Sequence, residues 1–111
     1  MATGPELMKG SSESLLLCLI GQEPMYGYQI IRELEQRSQG YFKFKEGTLY
    51  PALHRLEKAG LITGRWQTLP GGRYRRYYYI TEKGRRALAE KMSQWRQFLV
   101  AMNLIVPARC L

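Results

Sequence analysis

The spacing of hydrophobic positions changes along this 111-residue chain, and each change marks an element. SESLLLCLIG is apolar nearly all round, which predicts a buried helix over roughly Ser12 to Gly21. Ser11, Ser12 and Glu13 supply N-cap chemistry and a charge suited to the helix dipole. QEPMYG, with Pro24 and Gly27, reads as a turn. From about Tyr26 to Arg37 the pattern is amphipathic, with Ile30, Ile31 and Leu34 inward and Arg32, Glu33, Glu35 and Gln36 outward. Gln39–Gly40 should close that helix with a left-handed cap, and YFKF should follow as a short extended piece.

A third helix is written in EGTLYPALHRLEKAGLI. At roughly 100° per residue, Leu49, Leu53 and Leu56 share a narrow arc with Ala52 at its edge. Pro51, His54, Arg55 and Lys58 gather opposite, with Thr48 near the first turn. Proline belongs in a first turn, where its missing N–H has no partner anyway, so the helix should start at about Glu46 to Thr48. Gly60 should stop it. Beyond Gly60 the period becomes two: LITGRWQT and RYRRYYYI, joined by LPGG, predict a β-hairpin. Alternation puts Tyr78 and Ile80 on the core side and leaves Tyr77 and Tyr79 half-exposed; the other reading of these rings is a platform for unpaired bases. Thr81 is a plausible cap for a last helix, in which Leu88, Met92, Trp95, Leu99, Met102 and Val106 recur at alternating steps of four and three.

The fold predicted is mainly α with a small β-hairpin: a winged helix-turn-helix followed by a C-terminal dimerisation helix. Its parts are a flexible N-terminal segment at 1–10, the winged helix-turn-helix at 11–80, the dimerisation helix at 81–106 and a tail at 107–111. The seam residues expected to join two copies are Leu88, Met92, Trp95, Leu99 and Met102. Trp95 is either a buried tryptophan of that interface or faces its symmetry mate and sandwiches a flat aromatic ligand.

Charge adds a partner to this picture. Lys+Arg number 17 against 9 acidic residues, all glutamate, for a net charge of +8. That excess favours an anionic partner, nucleic acid or a membrane surface. A major groove about 12 Å wide admits a slim helix face rich in hydrogen-bonding groups, and Thr48, Tyr50, Pro51, His54, Arg55 and Lys58 offer one. Arg73, Arg75 and Arg76 lie beside a glycine turn, where a flexible wing reaches backbone phosphates. Double-stranded DNA is therefore the expected partner. The alternative, a winged-helix protein-interaction module without DNA contact, leaves the wing arginines unexplained.

Other classes find little support. A peripheral membrane protein needs a basic helix with an exposed apolar face, and these apolar stripes are taken by core and seam. LLLCLI is too short to span a bilayer and no signal cleavage site follows it, so a cytoplasmic location is expected. Cys18 and Cys110 do not make a disulfide framework. His54 is the single histidine and no aspartate exists to orient it, which excludes a Ser-His-Asp triad. No metal-ligand spacing and no phosphate loop is present, so neither a metal nor another cofactor is expected.

TLYPALHRLEKAGLI, preceded by YGYQI and followed by GGRYRRYYYITEKG, resembles the PadR family of bacterial transcriptional regulators, from about Lys9 to Met102. The resemblance implies a homodimeric repressor whose C-terminal helices cross-dimerise and whose wings grip an inverted-repeat operator. A single C-terminal helix is similar to the short subclass, which includes multidrug-sensing repressors with a tryptophan at the position of Trp95 that stacks on planar drugs between subunits. By the same correspondence Leu7, Ser14, Leu88 and Leu99 would line such a pore with Trp95. Two departures stand out: Lys91 and Leu99 give a rim without an acid, and Lys45–Glu46 replaces the usual cap before the third helix.

Overall fold

One cluster of buried side chains joins three helices to a small sheet. The computed structural model describes residues 11–110, in the order α1 (Ser11–Gln22), β1 (Met25–Tyr26), α2 (Gly27–Arg37), α3 (Glu46–Lys58), β2 (Ile62–Thr68), β3 (Tyr74–Ile80) and α4 (Glu82–Ile105), with a 3-10 turn at Ala108–Cys110. Leu16 and Ile20 of α1, Ile30 and Leu34 of α2, and Leu49, Leu53 and Leu56 of α3 meet Met25, Ile62 and Tyr78 in this core. Helical spacing assembled these faces, and removing them from water is the main stabilising contribution.

The chain is mostly helical with a three-stranded antiparallel sheet in the order β1-β3-β2. The third strand corrects the reading of QEPMYG as a plain turn: Met25 pairs with Tyr78 and Tyr26 with Tyr77. Two residues are too few to show a period of two, and their partner lies far along the chain. YFKF forms no strand either. Phe42 and Phe44 instead pack against the core from a loop, with the Phe42 N–H donating to Ser38 Oγ at 2.9 Å.

Gln39 and Gly40 both take positive φ after α2, as the left-handed cap required. Helix α3 begins at Glu46, but Pro51 is its sixth residue, one turn deeper than the first-turn rule allowed. The carbonyl left without a donor is that of Gly47, at the exposed start of the helix. Lys45 caps α3 without a side-chain hydrogen bond, its carbonyl accepting from Thr48 and Leu49.

The hairpin pairs Ile62 with Ile80 through to Thr68 with Tyr74. Its turn carries Gly71 at φ 91° and Gly72 at φ 84°, consecutive left-handed positions that suit only glycine. Tyr78 is buried while Tyr77 and Tyr79 are half-buried, as alternation predicted. Thr81 caps α4: its Oγ1 accepts from the Gly84 N–H at 3.0 Å and donates to the Gly60 carbonyl at 2.7 Å. A Cβ on Gly84 would stand 2.1 Å from the Leu61 carbonyl oxygen, so the helix starts in backbone contact with the root of the wing.

From there α4 leaves the core. The molecule is 55 Å along its longest axis, with a radius of gyration of 15.9 Å against about 13 Å for a compact chain of this size. Leu88 packs against the core, Met92 and Trp95 are half-buried, and Leu99, Val100, Met102, Leu104 and Ile105 are exposed. No helix among the described residues is long and apolar enough to cross a membrane.

Candidate nucleic-acid interface

Helix α3 divides as its sequence indicated. Leu49, Ala52, Leu53 and Leu56 are buried, and Thr48, Tyr50, Pro51, His54, Arg55 and Lys58 are exposed. Exposure does not make them equivalent. Arg55 turns toward α1, where its Nε donates to Glu13 at 2.7 Å. Tyr50 turns toward α2 and lies so close to Gly27 that a Cβ there would stand 2.3 Å from the Tyr50 hydroxyl. Thr48, Pro51, His54 and Lys58 are left as the outward surface, their side chains unpaired among the described residues.

The three wing arginines also separate. Arg73 is exposed in the tip, where the Leu69 N–H donates to its carbonyl at 2.6 Å. Arg75 and Arg76 follow on opposite faces of β3. Arg75 stacks 4.0 Å over the Tyr26 ring, a cation–π contact with β1. Arg76 reaches α3 instead, Nη2 donating to Glu57 Oε2 at 2.5 Å, and that same oxygen accepts from the Gly64 N–H at 3.2 Å. Glu57 thus fastens the wing to α3 by a charge-assisted bond to each strand. A Cβ on Gly64 would collide with the Arg76 guanidinium, so a larger residue there would push Arg76 off its bond to Glu57.

Between α3 and the wing lies a cleft of about 380 Å³, lined by Tyr26, Gly27, Tyr50, Trp66, Tyr74, Arg75, Arg76 and Tyr78. Burial pushes the Tyr78 hydroxyl above its usual pKa, against the opposing pull of Arg76. Sequence reasoning missed Glu57, Trp66 and Tyr74. Glu57 sits between Leu56 and Lys58 without any local mark, and only the hairpin's return brings Arg76 to it. Of the residues matched to a ligand pore, Leu7 lies outside the described residues. Ser14 is buried in α1, Leu88 and Trp95 are half-buried, and Leu99 is exposed. The Trp95 indole N–H is buried with no hydrogen-bond partner.

A family model for PadR-like transcriptional regulators matches residues 16–90, from the core of α1 through the wing into α4. The chain belongs to the PadR-like family of transcriptional regulators. Its work is regulation of transcription and not enzymatic. An uncharacterized protein from Lysinibacillus sphaericus is 33% identical over 101 residues, covering 91% of this chain and 93% of its own. The crystal structure of a PadR-like transcriptional regulator from Bacillus cereus superimposes with a TM-score of 0.78 at 33% identity, covering 89% of this chain and 94% of that one. Bacillus subtilis PadR, solved in complex with operator DNA, shares the fold at a TM-score of 0.68 and 22% identity, over 74% of this chain and 47% of that one. The helices and the antiparallel sheet of this chain match the winged-helix fold of the PadR-like structures.

Proposed function

We propose that this PadR-like regulator is a homodimer that binds double-stranded DNA at an inverted-repeat operator, represses transcription there, and is released by a small planar aromatic ligand. Its workplace is the bacterial cytoplasm. The observation that carries DNA binding is the uncovered Thr48, Pro51, His54 and Lys58 face of α3, held rigidly beside an arginine-tipped wing by Glu57 and Arg76. The net charge of +8 and the operator-bound Bacillus subtilis relative support the same reading. A two-fold dimer presents two such faces, which is why the operator should be an inverted repeat.

A mobility shift with the DNA upstream of the protein's own gene tests this directly. Binding should weaken steeply with salt, because each phosphate contact contributes about −0.9 to the slope of log affinity against log salt. Arg73→Ala removes one contact per subunit, so the dimer's slope should flatten by close to 2 and affinity should fall on every sequence alike. An unaltered slope would make the wing tip a bystander. Absence of any shift at low salt would favour the protein-interaction module instead.

The ligand rests on Trp95 and on family analogy. A half-buried indole whose N–H lacks a partner, on a helix face open further along, is a suitable wall for an aromatic guest between subunits. Planar aromatic compounds should quench tryptophan emission, and Trp95→Ala should abolish that response while DNA affinity is retained. Should Trp95 be sealed in a continuous dimer core, no compound will quench it at micromolar concentration, and its loss will destabilise the dimer by about 3–5 kcal/mol.

A further inference from the structure

A second concavity lies between α1 and α2, apart from α3 and the wing. It holds about 340 Å³ between α1, the second half of α2 and the loop that leads to α3. No residue of α3, the hairpin or α4 lines it. Its floor is apolar: Leu19 and Leu34 are buried, and Leu15 and Phe42 pack against the core beside them. Arg37 lies at the rim, where its Nη1 donates to Gln22 Oε1 at 2.7 Å. Its Nε and Nη2 both reach Glu33 Oε1, at 3.0 and 2.8 Å. The two charges cancel, so the rim attracts an ionic guest of neither sign. One polar group has capacity to spare. Gln22 Nε2 donates to the Cys18 sulfur at 3.7 Å, and a thiol is a weak acceptor that an oxygen displaces.

The geometry points to a binding site for a compact neutral molecule, an alicyclic ketone or alcohol of about ten heavy atoms. Its apolar body fills the floor, and its oxygen takes the Gln22 amide N–H in place of the sulfur. Volume sets the size: an apolar cavity of about 150 Å³ already takes benzene, and ligand pockets begin near roughly 300 Å³. Charge sets the neutrality, because an ion would shed water here with no counter-charge left to meet it. Phe42 is the one ring in the lining, so no pair of faces selects a flat guest. That sets this ligand apart from the planar compounds assigned to Trp95. Binding here reaches α3 through the loop. The Phe42 ring lines the groove while its N–H is held by Ser38 Oγ, which itself donates to the Leu34 carbonyl at 2.6 Å. Phe42 stands three residues before Lys45, the cap of α3, so a guest pressing on the ring would shift the start of that helix. This link to DNA affinity rests on the function proposed above; the site does not.

Camphor, a globular ketone, is the probe, on the full chain carrying Cys110→Ser so that Cys18 is the remaining thiol. At about ten times its Kd, camphor should slow alkylation of Cys18 by iodoacetamide about tenfold, by simple occupancy. In heteronuclear NMR spectra the Gln22 side-chain amide and the Phe42 backbone amide should shift, and the Trp95 indole N–H should stay in place. Gln22→Ala should weaken camphor binding about fivefold, the value of one hydrogen bond, with circular dichroism unchanged. Camphor should also weaken binding of the protein's own promoter duplex about fivefold in fluorescence anisotropy. Shifts at Trp95 with none at Gln22 and Phe42 would place camphor between subunits and overturn the site. A Cys18 thiol that camphor never protects, or that iodoacetamide cannot reach because a second copy covers α1, would overturn it as well. Bound camphor with unchanged DNA affinity would overturn the link to α3. Failure of the duplex to bind at all would sink the DNA-binding reading and leave the groove standing, since the thiol and NMR measurements use no DNA.

Discussion

Leu99→Arg should leave the protein as monomers or aggregates and remove operator binding altogether. Leu99, Val100, Met102, Leu104 and Ile105 are between 44% and 83% exposed on one chain, a concentration of apolar surface unusual for a monomer with this much charge. A second copy laid along α4 would cover that surface. An arginine placed in that seam would bury a cation among apolar side chains, close to the cationic Arg96 one turn before it. Breaking the interface in this way removes simultaneous engagement of two half-sites, and the avidity lost with it amounts to roughly a hundredfold or more. Sedimentation should show the wild-type chain as a dimer and the variant as a smaller or polydisperse species. A well-folded wild-type monomer would sink the dimer and the pore between subunits together.

The second large effect concerns Gly84. Gly84→Ala adds one methyl group that has nowhere to go: the Leu61 carbonyl oxygen stands 2.1 Å away and Ile80 Cγ1 2.8 Å away. Backbone cannot rotate aside as a side chain does, so the first turn of α4 must lift from the wing root and disturb the Thr81 cap. The cost should be about 1–3 kcal/mol, which in a domain of this size lowers Tm by roughly 4–8 °C per kcal/mol. Gly47→Ala is the matched control. A Cβ at Gly47 meets nothing within 4 Å, and the position is helical, so alanine there should raise stability by about 0.5–1 kcal/mol. Thermal melts followed by circular dichroism separate the two. Equal midpoints for Gly84→Ala and wild type would mean that α4 is not seated on the wing as described.

Much of this architecture was legible because it is local. The leucine arc of α3, the Gln39–Gly40 cap, the Thr81 cap and the period-two strands each sit within a few residues of the signal that forms them. The features that escaped are all set by distant pairing. Strand β1 exists only because β3 runs beside it. Arg76 reads as one more wing cation until the fold brings Glu57 of α3 against it, and Arg55 as a groove-facing residue until Glu13 of α1 draws it sideways. Charge count and spacing give the number of cations on a surface, but not which of them are already engaged within the chain.

The backbone contact at Gly84 has a mechanical side. Helix α4 has 24 residues, about 36 Å at 1.5 Å per residue, and it meets the winged helix without a flexible joint. In a dimer joined along that helix, it acts as a lever arm. A swing of roughly 10° at the seam carries the far end through about 6 Å, close to two base-pair steps of 3.4 Å. On the proposed reading, the small shift a guest makes at the seam would be enlarged into a mismatch between the two α3 helices and successive turns of the duplex. In such a dimer, the stiffness that would let a short protein measure the distance between half-sites is the same property that would let a modest displacement spoil the measurement.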